Sequence, residues 1–283
     1  MKSLFWTAAL VCMATFTLSA KASEPLRVMS FNLRYGAAND GDNHWNKRKS
    51  FVTTVVSEFA PDLMGTQETL AFQKEFILGE VSGYEYFGRS RMNTPNEHCG
   101  IFFKADRFVQ LAGGHFWLSE SPETPESKSW DSSLPRMATW VLLQDKETSE
   151  QPILFVNTHF DHRGRQSRLE AGRLLSERID RLSKIANDPL VIVTGDFNCD
   201  AGSEPYQALV DGQTLKDTYR DVHPTKQSGE GTFNSWQGKT DGARIDWIAT
   251  SKNAVVKDAE IVHTSFEDHF PSDHYPITAI IAK

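Results

Sequence analysis

The stretch Leu190-Val191-Ile192-Val193-Thr194-Gly195-Asp196-Phe197-Asn198 decides how this chain is read. Its first five residues form an unbroken β-branched and aliphatic run. Such a run reads as a strand covered on both faces. Its C-terminal end delivers Gly195, Asp196 and Asn198, and α/β folds gather ligands at strand ends of this kind. Gly195 permits a sharp turn or the close approach of a ligand. Asp196 and Asn198 alternate around Phe197, so in an extended chain both face one side. There, Asp196 can take a proton from water or hold a metal, and Asn198 can orient that water or a phosphate oxygen. Taken alone, the same residues also make a turn in which Asp and Asn bond only to backbone.

The pattern recurs elsewhere. Asn32 closes the apolar run 26–33, Glu68 follows 63–65, and His159 closes 153–157. Ser272-Asp273-His274 precedes a last strand at 277–281. Asn32, Glu68 and Asp273 offer oxygen to a hard cation such as Mg²⁺, which keeps several waters and takes one or two carboxylates. Glu68 also suits the start of a helix, where acids are favoured. His274 suits a phosphate oxygen or a proton transfer. Asp246 sits within the otherwise apolar 245–249, where a carboxylate needs a partner. A histidine whose ring it orients and whose pKa it raises is one such partner; Arg244 is the other. The run His159-Phe160-Asp161-His162 makes zinc conceivable, but it has neither helical His spacing nor a cysteine in reach. The oxygen-rich set favours Mg²⁺ or Mn²⁺. Among the arginines near motif ends (Arg89, Arg91, Arg136, Arg165 and Arg168), Arg136 and Arg168 are the preferred phosphate forks.

Strand-like runs occupy 26–33, 63–65, 99–103, 109–118, 138–143, 153–157, 190–194, 245–249 and 277–281. Helical periodicity appears over 51–59, 72–77 and 174–182, and Pro61 stops the first. Residues 119–135 are proline-rich and aperiodic, a long surface loop of the kind that is often functional. Strands alternate with helices, yet some strands follow one another directly. The expectation is therefore α/β, with two mixed β-sheets packed face to face and helices outside.

Residues 1–22 read as a secretory leader. Lys2 opens it, an apolar stretch too short to span a bilayer follows, and Ala20-Lys21-Ala22 fits a cleavage site. Residues 23–283 then form one domain, exported to the periplasm or beyond, with no stable membrane insertion. A monomer is expected. The chain carries 30 basic and 37 acidic residues, a net charge of −7; loss of Lys2 and Lys21 takes it to −9. That balance argues against tight non-specific nucleic-acid binding, which depends on counterion release. It permits a nuclease whose bound cation supplies positive charge locally. Cys99 and Cys199 remain, as a bridge or as two free thiols.

The ordered set Phe31-Asn32, Glu68, Asn157-Thr158-His159, Gly195-Asp196-Phe197-Asn198 and Ser272-Asp273-His274 resembles the endonuclease/exonuclease/phosphatase superfamily over nearly all of residues 23–283. The run 157–162 and Ser272 to Pro276 most resemble its secreted bacterial members, with a looser likeness to deadenylase-type exonucleases. The resemblance implies a four-layer α/β sandwich and Mg²⁺-dependent cleavage of a phosphate ester. It gives Glu68 as the principal metal ligand, with Asn32 and Asp273 lining the metal region. Asp196 activates or positions water, and Asn198 orients water and phosphate. His159 and His274 hold phosphate, and Asp246 supports His274. A phosphodiester, nuclease-like substrate is expected, nucleic acid included. The alternatives are a sugar or nucleotide phosphatase, a sphingomyelinase-like phosphodiesterase, and a binding protein that lost catalysis.

Overall fold

The computed structural model describes residues 24–146, 151–210 and 214–282; the expected leader lies outside them. One sheet contains β1 (Leu26–Asn32), β2 (Leu63–Thr69), β3 (Tyr84–Phe87), β4 (His98–Lys104), β11 (Val255–Ile261) and β12 (Ile277–Ala282), in the order β11-β12-β1-β2-β4-β3. The other contains β5 (Phe108–Trp117), β6 (Met137–Asp145), β7 (Ile153–His159), β8 (Leu190–Asp196), β9 (Leu215–Asp217) and β10 (Asp246–Ser251), in the order β5-β6-β7-β8-β10-β9. Each sheet is mixed. Its one parallel pair, β1–β2 or β7–β8, is joined through a helix, as parallel pairs require. Those crossovers are α1 (Trp45–Phe59) and α3 (Arg165–Ile185). The remaining helices are α2 (Ala71–Glu80) and the short α4 (Glu204–Leu209) and α5 (Thr218–Val222).

Period-2 alternation builds the layers. Val28, Leu63, Ile101 and Phe103 from the first sheet meet Val141, Phe155, Ile192 and Ile248 from the second. Met29, Phe31, Met64 and Phe102 point outward onto Val52, Val55 and Val56 of α1 and Ile77 of α2. Leu154, Val156, Val191 and Val193 point outward onto Ala171, Leu175 and Ile179 of α3. Both faces of the central strands are therefore covered, which is why they read as continuous apolar runs. The expected four layers, helices–sheet–sheet–helices, are present.

Toward the C-terminal ends of the parallel pairs, the inward-facing row turns polar. Gln67 Nε2 donates to Asn157 Oδ1 across the sheets (2.7 Å) and to Ser30 Oγ (3.2 Å). Asn157 Nδ2 donates to the carbonyls of Thr66 (2.9 Å) and Gly100 (2.8 Å), and Thr194 Oγ1 donates to Asn157 Oδ1 (3.1 Å). Gly65 is required here: a Cβ would lie 2.0 Å from Thr194 Oγ1 and 2.6 Å from Asn157 Oδ1. A buried amide must find partners to offset its desolvation, and this one ties together four strands.

Three strands were not legible in the sequence. β3 and β9 are only 4 and 3 residues long, and β11 is a largely exposed edge strand. Helix α3 begins nine residues before the expected 174. Its first turn, Arg165-Gln166-Ser167-Arg168, has no apolar stripe. It is capped from a distance by Asp131 of the 119–135 loop, which accepts from Gln166 N (3.2 Å) and Ser167 N (2.7 Å). The two cysteines are free thiols, Cys99 buried and Cys199 half-buried.

Asn157→Leu keeps the volume but strips partners from Gln67 and from the carbonyls of Thr66 and Gly100. The expected loss is about 3 kcal/mol or more. It is measured as a lower urea midpoint at unchanged slope; a midpoint like that of the parent would show that the amide is dispensable.

Candidate active site

The strand ends named above converge on one cavity of about 490 Å³. Register explains much of the convergence. In the second sheet His159 pairs with Asp196, and Asp196 pairs with Asp246, so three adjacent strands place three functional side chains in one row. In the first sheet Asn32 ends β1 and Glu68 lies near the end of β2. The β2–β4 register slips between Thr66 and Thr69, and Glu68 takes a left-handed φ of 56°. That backbone is costly for a residue with a Cβ. Here it accompanies the turning of Glu68 into the cleft, where its carboxylate accepts from Asn32 Nδ2 (3.2 Å) and Tyr35 N (2.7 Å).

Asp196 is the hub. Its Oδ2 accepts from Asn32 Nδ2 (2.9 Å) and lies 3.3 Å from His159 Nε2 and 3.8 Å from His274 Nε2. Its Oδ1 accepts from Asn198 N (3.0 Å). Burial, and then the charge of Asp246 beside it, push the Asp196 carboxyl up to about 7. Asn198 reaches the cavity by a route other than the extended chain expected for it. Its φ is 51°, a left-handed turn that asparagine tolerates, and its Nδ2 lies 3.0 Å from His159 Nε2.

The two imidazoles differ in charge. Burial, reinforced by Arg136 and Arg91, drives His159 well below the usual histidine range, so its ring is neutral near pH 7. Burial works against a charged His274 too, but Asp246 and then Asp196 outweigh it, and this ring is held well above that range. His274 Nδ1 lies 3.0 Å from Asp246 Oδ2, the partnership expected from the sequence. Arg244, the alternative partner, is instead paired with buried Asp217. Ser272 fastens the loop by donating to the Asn32 carbonyl (2.7 Å). Asp273 lines the same cavity, its carboxyl raised by burial, with Arg34 Nε 3.7 Å away.

Ligand atoms of Glu68, His159 and Asp196 lie within 4.8 Å of one another. This cluster, with two carboxylates and amide Asn32 beside it, is a donor set suited to a hard divalent cation. The His-Phe-Asp-His run does not contribute a second set. Asp161 is committed to Ser133 Oγ (2.7 Å) and the backbone of Arg163 (3.0 Å) and Gly164 (2.8 Å). Burial opposes its ionisation, but those donors outweigh burial and hold it well below the usual carboxylate range.

Of the two preferred arginines, Arg136 lines the cavity and Arg168 does not. Arg168 donates to the Asp161 carbonyl (2.9 Å) and faces a separate shallow surface pocket beside Cys199. Its start-of-helix position on α3 directs it there. Three lining residues carried little signal in the sequence: Arg34, Glu97 and Phe233. Arg34 has a left-handed φ of 57° and forks onto Asp40 (2.9 Å twice). Glu97 meets Arg91 across a turn of five residues, and Phe233 is drawn in by its bridge to His274. No periodicity marks such contacts. Among the described residues, no helix is long and apolar enough to cross a membrane.

Known proteins resemble this chain in fold and sequence. A crystal structure of an endonuclease/exonuclease/phosphatase family protein from Bacteroides thetaiotaomicron superposes with a TM-score of 0.84 at 31% identity, covering 92% of this chain and 96% of that one. The mannosyl-6-phosphatase of the same organism superposes with a TM-score of 0.82 at 32% identity, covering 91% of this chain and 100% of that one. In sequence, the carbon catabolite repressor protein 4 homolog 3 of Arabidopsis thaliana is 26% identical over 171 residues, 60% of this chain and 36% of that protein. The chain thus spans about a third of that relative's length. The family model described as Endonuclease/Exonuclease/phosphatase matches residues 29–274. With that match over most of its length, this chain belongs to the endonuclease/exonuclease/phosphatase family.

Proposed function

We propose that the protein hydrolyses a phosphate monoester carried on a sugar or other small polyhydroxy group, assisted by a divalent cation, Mg²⁺ or Mn²⁺. The observation that carries the reaction class is Asp196, buried between one neutral and one charged imidazole and joined to Glu68 through Asn32. The substrate class rests on the likeness to the mannosyl-6-phosphatase over nearly the whole chain and on a cavity of one-ligand size in an acidic chain. The phosphodiester, nuclease-like reading stands second, supported by the endonucleases and exonucleases named in the family's description. We further propose that residues 1–22 are an export leader and that residues 23–283 form a domain acting outside the cytoplasm.

Glu68 would hold the cation, with Asn32 and Asp273 lining its surroundings. When bound there, it supplies charge stabilisation to the phosphate. The chain's own residues do the rest. Asp196, its carboxyl raised by burial and set between the two imidazoles, fits the role of general base toward an attacking water. Asn198, held by its Nδ2 donating to the Phe160 carbonyl (3.1 Å), is placed to orient that water or a phosphate oxygen. His274, kept charged by Asp246, donates a hydrogen bond to a non-bridging oxygen that gains charge in the transition state. His159, neutral beside Asp196, adds no charge against the cation. Arg136 stands one strand beyond it, toward the leaving group.

The deciding test is a panel run with Mg²⁺, Mn²⁺ or chelator: hexose 6-phosphates, nucleotides, single-stranded RNA and DNA, and sphingomyelin. Metal-dependent phosphate release from hexose phosphates is expected, falling about 10²–10⁴-fold in Asp196→Ala. Turnover confined to RNA or DNA would favour the second reading. Undiminished turnover in folded Asp196→Ala would remove Asp196 from the mechanism.

Asp246→Asn removes the charge that raises His274. The imidazole pKa should fall, so the charged ring persists only to a lower pH, and activity should be lost more at pH 8 than at pH 6. Imidazole NMR titration reads the shift directly; an unmoved resonance would contradict the assignment.

A further inference from the structure

One flank of the cavity holds polar groups that the reaction above does not use. The turn between β3 and β4 carries Arg91 and Glu97, which face each other as a fork: Nη1 to Oε2 at 2.8 Å and Nη2 to Oε1 at 3.1 Å. The turn is fastened at its base. Arg91 N donates to the Glu97 carbonyl (3.0 Å), and Trp117 Nε1 donates to the Arg91 carbonyl (3.0 Å). Arg136 stands beside them, its Nη2 3.0 Å from His162 Nδ1 and its Nε 3.5 Å from Asp161. The Arg91 and Arg136 side chains are only 9% and 5% exposed. Yet Arg91 Nε and Arg136 Nε and Nη1 are buried without a hydrogen-bond partner among the described residues. Arg91, Glu97 and Arg136 all line the cavity, where a ligand would meet their outer edges.

We infer that Arg91, Glu97 and Arg136 form the leaving-group subsite and read the hydroxyl configuration of a sugar ring. This rests on the sugar-phosphate reading above and deepens it. Position supports it. Met137 begins β6, and the β6–β7 register sets it beside His159, so Arg136 lies about two strand spacings from Asp196, roughly 10 Å. That is comparable to the length of a phosphorylated hexose. Charge supports it as well. Arg91 is balanced by Glu97 and Arg136 by Asp161, so the flank is close to neutral. A second phosphate would meet the Glu97 carboxylate. A hydroxyl both donates and accepts, and so satisfies a guanidinium and a carboxylate together. The aromatic side chains lining the cavity are Tyr35 and Phe233. Phe233 stands beyond β10 against His274, ring centroids 5.1 Å apart, on the side away from Arg136. The Arg91–Glu97 pair itself offers hydrogen bonds to whatever enters that flank.

The test compares hexose 6-phosphates that are epimers at C2, C3 and C4 with p-nitrophenyl phosphate. Each epimer is supplied both free and at the end of an oligosaccharide to distinguish the source. The double variant Arg91→Met/Glu97→Leu removes both charges together, so neither is left buried alone. The selectivity ratio, kcat/KM for the preferred hexose phosphate over that for the aryl ester, is expected to fall about 10–100-fold, chiefly through KM, with epimer preference flattened. Arg91→Lys, which keeps the charge but loses the fork, should lower the ratio partway and serves if the double variant unfolds. A lesion of structure alone would slow both substrates and leave the ratio unchanged. Parental epimer preference in the folded variants overturns this inference while sparing the sugar-phosphatase reading. A parent protein that turns over no sugar phosphate overturns both.

Discussion

Asn32 joins the two halves of the site. Its Nδ2 donates to Glu68 Oε1 in its own sheet and to Asp196 Oδ2 in the facing sheet, while its Oδ1 accepts from Arg34 N. Two carboxylates brought this close repel, and burial penalises their charge further. A single amide that donates to both relieves part of that cost and fixes their separation. The geometry holds only if the sheets keep their stacking to within a fraction of an ångström, and the amide of Asn157 one layer deeper supplies that constraint. Overpacking at Gly65 would disturb both, because any side chain there enters the seam between the sheets.

The mouth of the cavity is organised by a second buried charge. Arg48 on α1 donates to the carbonyls of Leu33 (2.8 Å), Pro271 (2.7 Å) and Asn43 (2.9 Å). It is 2% exposed and has no carboxylate within ion-pair distance among the described residues; burial pulls its pKa down to about 10. Carbonyl oxygens, rather than a counter-ion, satisfy its donors. The result is that the segment after β1 and the loop carrying Ser272 and Asp273 are held by the same side chain. One helix therefore positions loops from opposite ends of the sequence.

How much of this was legible follows from which forces leave a local trace. The alternation of β1, β2, β7 and β8 does so, because burial on both faces requires continuous apolar runs. Their polar ends leave a trace too. Inward positions Ser30 and Asn32, Asn157 and His159, and Thr194 and Asp196 stand where apolar residues would complete the pattern. Asp246 was readable for the same reason. Non-local contacts left none. The start of α3 depends on Asp131, more than thirty residues upstream. The left-handed backbones of Arg34 and Glu68 put residues with long side chains in a conformation they disfavour, which no local pattern announces. Arg168 and Arg91 are alike as letters near motif ends. Only the direction of α3 sends the one to a backbone carbonyl, and only the turn closed by Glu97 sends the other to the cavity.

The electrostatic design follows from the same pairing. A chain with a net charge of −7 cannot draw in an anion by its overall field, since the sign is wrong. Its arginines at the cavity are instead individually matched: Arg34 with Asp40, Arg91 with Glu97, and Arg136 with Asp161. Matched charges give little long-range pull but strong directional contact at short range. Among the described residues at that row of strand ends, His274 is held positive by its carboxylate neighbours. On the reading proposed above, such a site would bind a phosphate that has already arrived and read what is attached to it by hydrogen bonds. Tracking along a polyanion asks for the opposite arrangement, a continuous band of unpaired cations, and the lining of this cavity does not provide one.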